Sequence, residues 1–200
     1  DPVNLIDADL SIITNIELDH EKWLGSSLEE IGHQKAAILK SGKLAILGSG
    51  IMPASVISQA KKTCTYYQLN SDFLIQEYDS GWSYNFLDKH FEIKGLPYGN
   101  LNKESAASAI TAFQLLSEED IDFKSIIERT NLKGRCDVID NFILDVSHNP
   151  ASVKNLISFV AKNYKDTKFS AIFSSMNDKD NVSIIKEISH FIDEWNICSI

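Results

Sequence analysis

Cysteine, proline and methionine are all scarce: the 200 residues hold 3, 4 and 2 of them. The cysteines, Cys64, Cys136 and Cys198, are odd in number and far apart. They form neither a CxxC metal motif nor a disulfide framework, and a reduced, cytoplasmic setting is the expectation. No apolar run approaches the roughly 18 residues that a membrane span needs, and no signal peptide is recognisable, so no membrane partner is expected. Basic charge is also short. A net charge of −9 argues against nucleic acid as a partner. Two nucleotide motifs are missing as well. Gly42-Lys43 lacks the upstream glycine of a phosphate-binding P-loop, because position 37 is alanine, and Gly48 and Gly50 run into Ile51-Met52-Pro53 with no third glycine of a dinucleotide fingerprint. If the protein handles ATP, the loop that cradles its phosphates lies outside these residues. The chain opens on Asp1-Pro2 rather than on Met, so the true start is expected upstream.

What is present is ordinary globular composition, 44% apolar and 24% charged, enough for one large domain or two small ones. Residues 10–16 (LSIITNI) form a nearly continuous β-branched run, which predicts a buried strand rather than a half-exposed one. Ser26-Ser27 ahead of Glu29-Glu30 offers a capping box, and Gly42 a stop, for a helix over about 27–40. Leu44 to Leu47 make a second apolar strand, followed by a helix near 54–62 and a strand near 63–69. Strand, helix, strand in this order predicts a parallel sheet with crossovers. Residues 72–94 break the rhythm with turn residues at Asp79-Ser80-Gly81 and near Asp88-Lys89, as an antiparallel meander would. Helices are expected over 102–116 and near 123–130. After Gly134 a βαβ rhythm resumes: strand 142–146, helix 151–163, strand 168–174, helix 180–192, strand 195–200. A domain boundary falls near 131–134, with the second α/β unit cut short at residue 200.

Asp19-His20 stands just past the first strand, where ligands sit in open α/β sheets. The pair is either a metal or phosphate contact or a plain loop histidine beside a solvated carboxylate. Lys35 shares a helix face with Leu28, Ile31, Ile38 and Leu39, spaced i, i+3, i+7, i+10 and i+11. Its stem can lie on the core with the ammonium in water. Alternatively, the amine is desolvated and favours its neutral form, which can add carbon dioxide to give a carbamate, a hard oxygen ligand suited to Mg²⁺. Farther on, Asp145 and His148 occupy a strand exit, and Asn149-Pro150 opens a helix whose amino end is suited to an anion. Arg135 follows Gly134 at the domain junction, where a guanidinium fork could clamp a phosphate or carboxylate; a surface arginine and a helix cap would read the same way. "MNDKD" (176–180) puts polar residues past another strand, and an N-terminal cap explains it.

Three stretches together resemble a known family. "ITNIELDHEKWLGSSLEEIGHQKAAILKSGKLAILG", "LKGR…ILDVSHNPAS" and "MNDKD" are similar, in order and spacing, to motifs of folylpolyglutamate synthase/dihydrofolate synthase, a branch of the Mur ligase superfamily. The resemblance implies an α/β fold. Residues 1–131 would be the later part of a P-loop-type ATP-binding domain with a parallel sheet and a small antiparallel meander. Residues 132–200 would be an incomplete Rossmann-like carboxy-terminal ligase domain. It implies a monomeric ATP-dependent ligase that joins L-glutamate to a folate or pteroate carboxylate, such as that of dihydropteroate, through an acyl phosphate, with ATP and Mg²⁺ as cofactors. By the same resemblance His20 is a Mg²⁺ ligand, and Lys35 is a carbamylated lysine serving the metal and the γ-phosphate. Arg135 and Asp145 contact the nucleotide, and His148 belongs to the catalytic cleft. Ser105 stands where the family usually has an asparagine that touches the nucleotide. Without the P-loop, these residues alone are expected to be inactive. The alternatives are a cell-wall Mur ligase, disfavoured by Trp23-Leu24-Gly25 where a histidine would follow the Asp-His pair, and a catalytically inactive nucleotide-binding module.

Overall fold

The structure is a computed structural model that describes residues 2–18, 21–78, 81–94, 101–176 and 179–199. The chain divides into two compact units, one over Asp1–Pro97 and Leu101–Thr130 and the other built on Asn131–Ile200.

In the first unit, β1 (Leu10–Ile13), β2 (Leu44–Leu47) and β3 (Thr65–Gln68) form a parallel sheet in that order, with Leu10 opposite Leu44 and Leu44 opposite Thr65. Parallel strands need long crossovers. Here these are α1 (Glu21–Leu24) with α2 (Leu28–Ala36), and α3 (Ala54–Thr63). Ala45, Ile46 and Leu47 are all fully buried. Successive strand residues face opposite sides, and each side has its own cover. Ala45 and Leu47 pack with Ile13, Ala36, Leu39, Val56 and Ala60, while Ile46 joins Leu69, Phe73, Trp82, Tyr84, Phe86 and Ile110. Burial on both faces explains why β2 reads as a continuous apolar run, whereas β1, expected to be buried over residues 10–16, ends at Ile13 and leaves Ile12 exposed.

The second cover comes from an antiparallel meander, β4 (Phe73–Tyr78), β5 (Gly81–Phe86) and β6 (Lys89–Lys94), together with α4 (Lys103–Leu116) and α5 (Phe123–Arg129). The small-residue face of α4, with Ala106, Ala107 and Ser108 buried, lies close over the sheet. A Cβ at Gly48, the first residue past β2, would stand 2.6 Å from Ser108 Oγ and 3.3 Å from Thr14 Cα, so only glycine fits this crossing. Ser108 and Thr111 return their hydroxyls to the Glu104 and Ala107 carbonyls of the preceding turn.

The second unit starts with a hairpin, β7 (Asp137–Ile139) and β8 (Phe142–Leu144), turning at Asp140 with φ +51°. Then come α6 (Pro150–Asn163), β9 (Phe169–Phe173), α7 (Asn181–Ile188), a 3-10 turn (Ser189–Phe191) and β10 (Ile192–Ile197). Strands β9 and β10 are parallel, with a register shift between Ile192 and Glu194. Val153, Ile184 and Ile188 are buried with Phe173, Phe191 and Trp195 packed on them; the rings of Phe173 and Trp195 meet edge to face at 6.0 Å.

The expected α/β class is what the structure has, and three local expectations are corrected. The helix expected over 27–40 stops at Ala36: Ile38 and Leu39 donate to the Lys35 and Ala36 carbonyls, three residues back, so the turn tightens and both leave the α-helical face assigned to Lys35. Residues 142–146 were expected to start a βαβ unit, but Phe142–Leu144 pairs antiparallel with Asp137–Ile139, since a two-residue turn joins neighbours more readily than a crossover. The last strand begins at Ile192, not 195, because the helix before it closes at Ile188 and gives way to the 3-10 turn.

Candidate functional site

In the first unit the candidate residues follow β1. The amide of Gly48 bonds the carbonyl of Ile13 at 2.8 Å, which closes the strand exits side by side. Asp19 and His20 lie outside the described residues. Gly25, at φ +111°, turns the chain into α2, and the capping box foreseen there is formed by Ser27 and Glu30. The Glu30 carboxylate accepts from the amides of Ser26 at 2.8 Å and Ser27 at 3.1 Å, while Ser27 Oγ accepts from the amide of Glu30. These bonds hold the Glu30 carboxyl below the usual carboxylate range. Lys35 is half-buried in the last turn of α2, directly before the fully buried Ala36.

A neighbouring carboxylate does something that pattern reading did not find. Glu29 reaches across to α3, whose own cap residue is Pro53 and offers no side-chain acceptor. Its two oxygens take the amides of Ala54 at 2.8 Å and Ser55 at 2.7 Å. Those backbone bonds, Ser55 first, lower its pKa. The helix that carries Lys35 is therefore tied to the start of α3. Ser105, in the first turn of α4, is exposed, and its amide is capped by Asn102 Oδ1 at 2.7 Å.

In the second unit the structure brings the segments of Arg135 and Asp145 together. The hairpin folds them back on one another: the amide of Val146 bonds the carbonyl of Gly134 at 2.9 Å, and the amide of Cys136 bonds Asp145 Oδ2 at 2.8 Å. Gly134 and Cys136 are both left-handed, at φ +70° and +46°. Asp145 Oδ1 takes the amide of Ser147 at 2.9 Å, so both carboxylate oxygens are held in place. Burial, and then the nearby Asp145 charge, push the Cys136 thiol up to about 12. Arg135 is exposed, its amide bonded to the Leu132 carbonyl at 3.1 Å. Below it, buried Asp137 accepts from Asn131 Nδ2 and from the amide of Gly134, both at 3.4 Å.

His148 lies in the loop that opens α6. Its Nδ1 is 3.0 Å from the carbonyl of Val146, and a carbonyl only accepts, so Nδ1 is the donor in this bond. Asn149 and Ser152 form a capping box, with Pro150 as the first helical residue, as Asn149-Pro150 had suggested. In the "MNDKD" stretch, Asn177 and Asp178 lie outside the described residues, and Asp180 caps α7 by accepting the amide of Ser183 at 3.1 Å. Lys35 and Ser105 thus belong to the first unit, and Arg135, Asp145 and His148 to the second. Among the described residues no three His, Cys, Asp or Glu side chains converge as a metal cluster, and no helix is long and apolar enough to cross a membrane.

No protein-family model matches the chain. Individual proteins do. It is 29% identical over 203 residues to the dihydrofolate synthase/folylpolyglutamate synthase of Escherichia coli (strain K12), covering 98% of this chain and 47% of that protein. It is likewise 29% identical over 213 residues to the protein of that name from Buchnera aphidicola subsp. Schizaphis graminum, covering 100% of this chain and 49% of that one. Among solved structures, a bifunctional folylpolyglutamate synthase/dihydrofolate synthase from Yersinia pestis, complexed with AMPPNP and Mn ion, superposes with a TM-score of 0.84 at 28% identity, over 96% of this chain and 47% of that one. The chain spans about half the length of the curated relatives it matches. Likeness along the whole chain, in sequence and in fold alike, is to about half the length of proteins named dihydrofolate synthase/folylpolyglutamate synthase.

Proposed function

We propose that the protein carrying this chain is an ATP-dependent amide ligase that adds L-glutamate to the carboxylate of a folate or of dihydropteroate, acting on small molecules as a monomer in the cytoplasm. The observation that carries this reading is the end-to-end likeness to proteins of that name, one of them solved with AMPPNP and Mn ion. On this reading residues 1–131 belong to the ATP-binding domain and 132–200 to the carboxy-terminal ligase domain.

The second unit's residues suit a nucleotide. Asp145 is a carboxylate whose orientation is fixed by two backbone amides, a ready acceptor for sugar hydroxyls. Arg135 presents an exposed fork for an anion, and α6 opens with its amino end beside His148. Exposed Ser105 would contribute a hydroxyl from α4. The divalent cation finds less within the described residues, where no donor cluster exists. Its protein ligands would be His20 and a carbamate on half-buried Lys35, the rest being phosphate oxygens and water, in keeping with how Mg²⁺ is usually held. When bound, ATP supplies the phosphoryl group that activates the carboxylate, and the cation offsets the charge of that transfer. In the overall reaction the glutamate nitrogen bonds the acyl carbon, the amine loses a proton, and ADP and phosphate leave. In the second unit Arg135 would offer its fork to an anion and Asp145 would orient the nucleotide, with His148 at the opening of α6; in the first unit Lys35 would serve the metal as a carbamate.

The test uses the full-length protein with ATP, Mg²⁺, L-glutamate and either dihydropteroate or tetrahydrofolate. Phosphate release that depends on both glutamate and a folate is the expected result. No release with any folate would overturn the reading and favour an inactive nucleotide-binding module, while release only with a cell-wall precursor acid would favour a Mur ligase.

A further inference from the structure

We propose that Cys136 is a positioning residue that fixes Asp145, and with it the Arg135 segment, for adenine-nucleotide binding; this rests on the nucleotide role given to Asp145 above. Three observations carry it. Cys136 adopts φ +46°, a left-handed conformation rare for a residue with a side chain, and such geometry persists only where surrounding contacts enforce it. The contacts that do so converge on one carboxylate oxygen: the Cys136 amide donates to Asp145 Oδ2 at 2.8 Å, and its Sγ lies 3.6 Å from the same oxygen, within reach of a thiol donor. The third is connectivity. With the amide of Val146 on the carbonyl of Gly134, the stretch Gly134-Arg135-Cys136 is laced to Asp145-Val146-Ser147 at three points, and the Ser147 amide holds the other Asp145 oxygen, Oδ1, from within its own stretch.

A carboxylate free to rotate offers its lone pairs in many directions; this one is turned by donors on both oxygens, so its remaining acceptor directions are set before any ligand arrives. The same left-handed turn sets the backbone from which the Arg135 side chain leaves. The thiol is held in its protonated, donating form by burial and by the carboxylate it faces. Cys136 therefore acts through Asp145.

The experiment measures the dissociation constant of Mg²⁺-ATP for the full-length protein by titration calorimetry, with melting temperature alongside. Cys136→Ala and Cys136→Gly are expected to weaken binding by about three- to tenfold, the effect of losing one hydrogen bond to a charged group. Cys136→Ser, which keeps a donor, should recover most of it. Cys136→Gly relaxes the left-handed backbone, so its melting temperature is expected to hold or rise while binding weakens; a purely structural role would not separate the two. In a second arm, Asp145→Asn should speed maleimide labelling of Cys136 about threefold or more at fixed pH, read by peptide mass spectrometry against Cys64 and Cys198. Binding within twofold of wild type in Cys136→Ala, no recovery in Cys136→Ser, or an unchanged labelling rate would each overturn the inference. A wild type that binds no adenine nucleotide would overturn it together with the role of Asp145. A wild type that binds but ligates no folate would overturn the proposed function alone.

Discussion

Glu29 and Ser55 hold each other reciprocally: the Ser55 amide donates to Glu29 Oε2 at 2.7 Å, and Ser55 Oγ donates to the Glu29 backbone carbonyl at 2.9 Å. One pair of residues thereby caps α3 and fastens α2 to it. Because the Glu29 pKa is lowered in the folded state, its contribution is complete above the unfolded carboxylate value of about 4.3 and is lost as pH falls through the folded value beneath it. Glu29→Gln should unfold at a lower temperature than wild type at neutral pH, and the gap should close on acidification below pH of about 4. Melting curves across pH check this; a gap that stays constant would refute it.

Gly32 lies where α2 meets α3. An added Cβ would come within 2.8 Å of Ser55 Oγ and 3.0 Å of Pro53 Cβ. Alanine is the better helix former by about 1 kcal/mol, yet overpacking at such a contact costs about 1–3 kcal/mol. Gly32→Ala should therefore destabilise on balance, and Gly32→Val more so, as read from the midpoint of urea unfolding.

Beneath the meander, the fully buried Tyr84 hydroxyl sits 2.7 Å from Thr111 Oγ1 and donates to Gln114 Oε1 at 3.0 Å. Burial pushes its pKa upward, so the phenol stays neutral throughout the usable pH range. Tyr84→Phe removes a buried bonded hydroxyl and leaves its partners to find other bonds, a loss of about 1–2 kcal/mol measurable by denaturant titration.

Lys35→Ala in the full-length protein should abolish ligation while leaving the melting temperature near that of wild type, because the residue is only half-buried. If a carbamate is the working group, a short carboxylic acid supplied in solution should restore part of the activity. A fully active alanine variant would remove the carbamate from consideration.

Strand β2 was legible because it is sandwiched. A sheet covered on both faces demands apolar side chains at every position, and Leu44-Ala45-Ile46-Leu47 answers that demand within four consecutive residues. Caps were legible for a similar reason: Ser27 with Glu30, and Asn149 with Ser152, satisfy amides only three residues away. The hairpin at Asp137–Leu144 was not. Its strands are three residues each, too short for alternation to be counted, and Val138, Ile139, Phe142 and Leu144 are all exposed in this structure. The helical stripe through Lys35 failed past Ala36 because periodicity cannot register a switch from four-residue to three-residue hydrogen bonds.

The sequence by itself determined the α/β alternation, the meander, the helix caps and the residues that resemble a ligase site, since each rests on neighbours within one turn or one strand. Only the tertiary structure decided the partners of Glu29, Gly48, Cys136 and Asp145. Glu29 could have capped its own helix and instead caps α3, 25 residues away, and Cys136 finds its carboxylate 9 residues on, across a hairpin. Hydrogen bonds of that kind depend on which segments the packing brings within about 3 Å, and that distance is set by the fold as a whole.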